Sequence, residues 1–381
     1  MVTDVRSWLP DDLADLIEDP VAAARRLADV EGRRLVGVHC PRVPSEVIWA
    51  CGGHPVLLPA TVAPGAFSDA VLQSFTCMRV RSQAEAMLAA SGQGLDAVVV
   101  PVGACDSLQN LGVILEGGLE GVLVTHLSLP VATNASGALA FSEAALRRWA
   151  ESFCGAVGAQ IPSDETLDET LFLWGELRSR LGRLEALSGQ RRVARSVFLA
   201  AARACWTADP QTMIPILDRL IVEAPDEVLG DDDLAMGLVS GPLDDLALVR
   251  FFEEQGVCFV MDDCCTGSPV ASGTDSGTGT PWRRMAERLL SRQICPVQWG
   301  SAKARFENGS NVLAARGGRA VVFLTWKYCD PHAFDNAILV RTYQEAGLAT
   351  LELDLDPVLS GWGQIETRCQ AFVESLMDWE D

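Results

Sequence analysis

AVVVPVGACD (Ala97–Asp106) is a short valine-rich run that stops at a Cys-Asp pair, and AVVFLTWKYCD (Ala320–Asp330) repeats the arrangement in the second half of the chain. Runs of this length, apolar throughout rather than alternating, suit strands of a parallel sheet that is covered on both faces. A helical pattern follows each pair. Ligands of open α/β sheets bind just beyond the carboxyl ends of strands, so Cys105-Asp106 and Cys329-Asp330 occupy places where chemistry is expected.

Working outward, short apolar runs alternate with amphipathic stretches, which predicts strands at Leu35–Cys40, Pro55–Pro59, Ala97–Val102 and Val122–Thr125. A second set is expected at Met236–Ser240, Val257–Met261, Ala320–Thr325 and Thr350–Leu355. Between the sets, LDETLFLWGELRSRLGRLEAL and PQTMIPILDRLIVEA keep a helical period with no strand-like run. The expectation is an α/β protein with two Rossmann-like or flavodoxin-like parallel-sheet lobes and a helical region. Its divisions would be a helical lead-in at 1–30, a first lobe at 31–141, helices at 142–230 and a second lobe at 231–381. SGTDSGTGTP (Ser272–Pro281) reads as a flexible loop, with Pro281 placed to open a helix.

Composition narrows the function. The chain has 381 residues, 49% hydrophobic and 21% charged, which is the make-up of a globular protein with a sizeable core. A net charge of −21 repels phosphate backbones and anionic lipid surfaces at long range. Nucleic acid and membranes are therefore poor partners. No apolar run approaches the ~20 residues of a membrane helix, and the acidic start MVTDVRSWLPDDLADLIEDP is unlike a signal peptide. A cytoplasmic location is expected.

Familiar catalytic motifs are missing from the sequence: G-x-S-x-G, H-E-x-x-H, C-x-x-C, G-x-G-x-x-G and the Walker loop. Only four histidines are present, which disfavours Ser-His and Cys-His catalysis. Twelve cysteines remain, and in a reducing compartment that density suggests metal or redox chemistry beside ordinary buried thiols. Cys77, Cys105 and Cys329 stand out by position. Three thiolates from separate loops could hold a 4Fe-4S cluster with one iron open to an outside ligand.

These residues carry a resemblance. PSEVIWACGGHPVLLP (Pro44–Pro59), CMRVRSQAE (Cys77–Glu85), DAVVVPVGACDSLQNL (Asp96–Leu111) and VCFVMDDCCTG (Val257–Gly267) are similar to segments of the 2-hydroxyacyl-CoA dehydratase and benzoyl-CoA reductase family of iron-sulfur subunits. ICPVQW (Ile294–Trp299), KYCDPHAFDNAIL (Lys327–Leu339) and GQIETRCQAFVESL (Gly363–Leu376) continue the likeness in the family's order. The resemblance implies three cluster ligands, Cys77, Cys105 and Cys329, and a homodimer or a heterodimer with a related subunit. It also implies an ATP-hydrolysing iron-sulfur activator protein that charges the cluster with one electron. That electron would go to the carbonyl of a bound acyl-CoA, and the resulting ketyl radical would eliminate hydroxide. Oxygen sensitivity would follow.

Cys51, Cys264, Cys265 and Cys295 exceed that pattern and are further candidate ligands. A related branch carries an 8Fe-9S double-cubane cluster and reduces small molecules without coenzyme A, and extra cysteines on the second lobe are what it would need. A third reading, of another class, is a non-catalytic scaffold or a zinc-binding subunit using Cys329 and His332. Around the thiols, Asp106 and Asp330 either tune the cluster or cap helices. Asp262, Asp263 and Glu46 have comparable alternatives. His332 is a candidate proton donor, and Arg79 and Arg81 could compensate cluster charge.

Overall fold

The computed structural model describes residues 5–92, 94–103, 105–226, 234–357 and 362–377. Two four-stranded, wholly parallel sheets form the frame. The first contains β1 (Arg34–Val38), β2 (Gly53–Leu57), β3 (Ala97–Val102) and β4 (Leu123–Ser128) in the order β2-β1-β3-β4. The second contains β5 (Leu234–Ser240), β6 (Val257–Cys264), β7 (Ala320–Trp326) and β8 (Ala349–Leu355) in the order β6-β5-β7-β8. The lobes thus have the same topology, and β3 and β7 hold the same place in it.

Helices are α1 (Asp11–Glu18), α2 (Pro20–Glu31), α3 (Ser45–Ala50), α4 (Ala66–Val71), α5 (Met78–Ala89), α6 (Asp106–Gly118) and α7 (Ala138–Val157). The chain continues through α8 (Asp164–Gly189), α9 (Arg195–Ala204) and α10 (Pro210–Val222). Among the described residues no strand interrupts α7 to α10, as the helical period predicted. The second lobe adds α11 (Ala247–Glu254), α12 (Ser268–Ala271), α13 (Pro281–Ser291), α14 (Ser301–Ala315), α15 (Asp330–Glu345) and α16 (Trp362–Met377). Several starts follow capping chemistry: the Asp209 carboxylate accepts the Gln211 and Thr212 N–H groups at 2.7 and 3.1 Å, and Thr280 caps α13 with Pro281 at its first position. The predicted helix start at Pro281 is where α13 begins.

Two differences from the predicted strands have a physical cause. β6 runs three residues past Met261, because Asp262 and Asp263, which look like a strand end, find Arg195 at 3.0 Å and Arg305 at 2.7 Å inside the protein. β1 stops at Val38, leaving His39 and Cys40 to turn away from the sheet. The boundary expected at 230/231 lies outside the described residues.

One hydrophobic core runs through both lobes, joining Leu35 and Val98 of the first sheet to Phe198 and Leu217 of the helical region and Leu238 and Val322 of the second sheet. The other face of the first sheet is closed by α7 and by α13, whose Trp282 and Met285 pack with Val36, Val99 and Trp149. A helix from the second half of the sequence therefore finishes the first lobe. Burying each such side chain contributes roughly 1.5–3 kcal/mol.

Candidate functional site

Cys77, Cys105 and Cys329 are each the residue immediately before a helix, the N-caps of α5, α6 and α15. None closes a tight cap hydrogen bond, yet the N–H three residues on faces each sulfur: Val80 for Cys77, Leu108 for Cys105 and His332 for Cys329. Three thiols thus meet the positive ends of three helices, which offset part of the cost of a thiolate there. The turns leading into them are unusual. Gly103 has φ +80°, and a Cβ there would lie 2.2 Å from the Leu129 carbonyl oxygen. Tyr328, beside Cys329, holds φ +62° without being glycine.

These helix starts come from both lobes and meet in the cleft. The Met78 N–H donates to the Lys327 carbonyl at 3.0 Å, and the Cys77 and Cys329 side chains hydrogen-bond. That bond pulls the Cys77 thiol down to about 7 and pushes Cys329 up. Cys105 is near enough to feel Cys77, and burial raises its thiol to about 12.

A second set of three cysteines lies alongside. Cys265 and Cys295 hydrogen-bond, which lowers Cys295 to about 6 and raises Cys265, and Cys40 interacts with both. Cys40 and Cys295 sit in matching Cys-Pro turns, where the N–H two residues on, of Arg42 and of Val297, faces the sulfur. The three line a cavity of about 50 Å³ with His332 and the guanidinium groups of Arg42, Arg292 and Arg305. Arg79 joins the two sets. It is buried, feels Cys77, Cys40, Cys265 and Cys329, and burial brings its pKa down to about 10. Its guanidinium is held by an ion pair to Asp244 and a 3.0 Å bond to the Leu58 carbonyl.

Other candidates fall into different places. Cys264 is fully buried in the core on the opposite side of the strand end from Cys265, and burial raises its thiol strongly. Cys51 hydrogen-bonds Cys154 in the core behind the first sheet. His332 is buried rather than solvent-facing. Its Nε2 is 3.8 Å from the Cys265 sulfur, and burial lowers its pKa to about 3, so the ring is neutral. Asp106 and Asp330 are exposed first-turn acids, not caps, because the cap positions belong to the cysteines. Arg81 turns away to Asp69 and the Ser74 carbonyl. Glu46 is buried between Arg178 and Arg288.

The donor set suits a cluster. Among the described residues no group of three or more His, Cys, Asp or Glu is drawn together as for a single metal ion, whereas cubane ligands stand apart around a polynuclear core. Thiols at helix starts, with N–H groups and arginines turned toward them, are what an anionic iron-sulfur group requires. Cys40 was not among the sequence candidates. Its signal was the Cys-Pro dipeptide that recurs at Cys295-Pro296.

Comparison with known proteins gives the family. Residues 40–376 match the family model of the 2-hydroxyglutaryl-CoA dehydratase D-component. The chain is 24% identical to the lactoyl-CoA dehydratase subunit beta of Anaerotignum propionicum, covering 96% of this chain and 97% of that one. It is 20% identical to the (R)-phenyllactyl-CoA dehydratase beta subunit of Clostridium sporogenes, over 96% and 98%. The (R)-2-hydroxyglutaryl-CoA dehydratase subunit beta of Acidaminococcus fermentans is 22% identical over 91% and 93%. With a match over residues 40–376, most of its length, the chain belongs to the 2-hydroxyglutaryl-CoA dehydratase D-component family.

Proposed function

We propose that this chain is the iron-sulfur subunit of a 2-hydroxyacyl-CoA dehydratase-type enzyme, with Cys77, Cys105 and Cys329 holding a low-potential 4Fe-4S cluster in the cleft. The observation that carries the reading is that three helix-start cysteines from both lobes face one part of the cleft, Cys77 bonded to Cys329 and Cys105 within their electrostatic reach. When bound, the cluster would supply one electron, received from an ATP-hydrolysing activator, for removing the hydroxyl group from an acyl-CoA or reducing it. The chain's own residues hold the ligands in place, exclude water from Cys77, and set Arg79 against the negative charge of the thiolates. The relatives are named beta subunits, and pairing with a related subunit or a second copy belongs to the proposal.

A second reading is favoured by the set Cys40, Cys265 and Cys295. Six thiols in two groups of three, with Arg79 within electrostatic reach of both, supply the number of cysteines that an 8Fe-9S double cubane would need. That form would make the chain a low-potential reductase of small molecules.

Iron and acid-labile sulfide per chain on anaerobically purified protein test both. About four irons, lost in Cys77→Ser, Cys105→Ser or Cys329→Ser and kept in Cys40→Ser and Cys295→Ser, are expected for the single cluster. About eight, with Cys40→Ser and Cys295→Ser also losing iron, would select the double cubane. Cys51→Ala and Cys264→Ala should keep full iron under either. A colourless protein holding zinc would sink both readings and leave the zinc-binding subunit.

A further inference from the structure

Beyond the Arg79–Asp244 pair, on the side away from the cysteines, lies a cavity of about 830 Å³, ample for a small organic ligand. It opens at the carboxyl ends of β2, β7 and β8, the edge at which open α/β sheets take ligands. Leu243, Leu324 and Trp326 give it apolar walls. Five carboxylates and two guanidinium groups also line it.

Almost all of that charge is already used. Glu18 pairs with Arg6, Asp244 with Arg79 and Asp356 with Lys327. Asp19 caps α2, and Asp245 accepts the Ala247 N–H at 2.8 Å. Arg25 is bound by Asp29 and Asp96. Arg203, near the end of α9, differs: its guanidinium makes no hydrogen bond or ion pair with any described residue, and Asp245 is only a more distant attraction. Half-buried, it is lowered by desolvation to about 10 and stays cationic at neutral pH. A half-buried guanidinium that lines the cavity and has no acceptor among the described residues keeps its N–H donors free for a ligand's carboxylate.

We propose that this cavity binds a small monoanionic organic carboxylate, its carboxylate paired with Arg203 and its apolar body against Leu324 and Trp326. A bidentate pair is the arrangement that satisfies both groups. With Arg203 the one lining cation left unpaired among the described residues, a single carboxylate is accepted, and the multiply phosphorylated coenzyme A, which finds no further cation there, is not. This site goes beyond the cluster reading and does not depend on what the cysteines hold.

Isothermal titration of the anaerobically purified full-length protein at pH 7 tests it with 3-phenylpropanoate and hexanoate beside their amides. The acids are expected to bind at least about tenfold more tightly than the amides, a difference of about 1.4 kcal/mol. Arg203→Gln should bring acid and amide within about twofold while the amide affinity holds, and Arg203→Lys should keep part of the preference. Coenzyme A should not displace the acid. Equal binding of acid and amide to the unaltered protein, no binding of either, a preference that survives Arg203→Gln, or displacement by coenzyme A would each overturn the proposal. Iron content, read on the same samples, reports separately on the cluster.

Discussion

Glu46 shows how much of this protein's interior depends on single charges. Its carboxylate is 1% exposed, and burial alone would raise its pKa, but Arg288 and Arg178 outweigh that and hold it below the usual carboxylate range. Glu46→Gln would leave two guanidinium groups in the core without their anion, at a cost of about 3–5 kcal/mol near pH 7. Because the folded-state pKa is depressed, this contribution is complete above the unfolded value of about 4.3 and disappears as pH falls through the folded one. Urea unfolding of the two proteins should therefore differ widely at pH 7 and converge below pH 4. A gap that is constant with pH would show that the carboxylate is not ionised in the fold.

Among the elements, the strand-to-helix turns before Cys105 and Cys329 carry the most consequence. At Gly103 a side chain would have to adopt φ +80° and press on the Leu129 carbonyl 2.2 Å away. Gly103→Ala should cost more than about 1 kcal/mol and lower the iron bound per chain. Tyr328 runs the opposite experiment, since it already tolerates φ +62°. Tyr328→Gly is expected to stabilise the protein by about 1 kcal/mol in urea unfolding, through relief of the left-handed conformation. No stabilisation would mean that the exposed Tyr328 ring makes up for the strain.

For the whole molecule, a charge of −21 acts against compactness. Self-repulsion among surface carboxylates is screened by salt, whose Debye length falls from about 30 Å at 0.01 M to about 8 Å at 0.15 M. The melting temperature at pH 7 should rise by about 2 °C or more between these conditions, measured at constant iron content. A fall would show that surface ion pairs outweigh the repulsion. The shared core makes the lobes one mechanical unit, because α13 of the second half closes the first sheet and α8 packs against α3, α9, α10 and β6. The cleft cysteines thus sit between walls that cannot separate without opening the core.

Alternation of valine-rich runs with helical periods was enough to determine the parallel α/β lobes, since hydrophobic period and strand length are local properties. The two Cys-Asp endings likewise marked β3 and β7 as equivalent, and Ala97–Val102 was legible to the residue. Tertiary structure alone decided which cysteines belong together. Cys264 and Cys265 are neighbours in sequence, but strand alternation sends one into the core and the other to the cleft. Cys40 is more than 200 residues from both partners in its set, and no local pattern records a distance closed by folding. The same holds for charge. Arg79, Arg203 and Glu46 look alike as surface-type residues, and only the packing around them determines that one faces thiols, one lines a cavity without a partner, and one is held by two arginines.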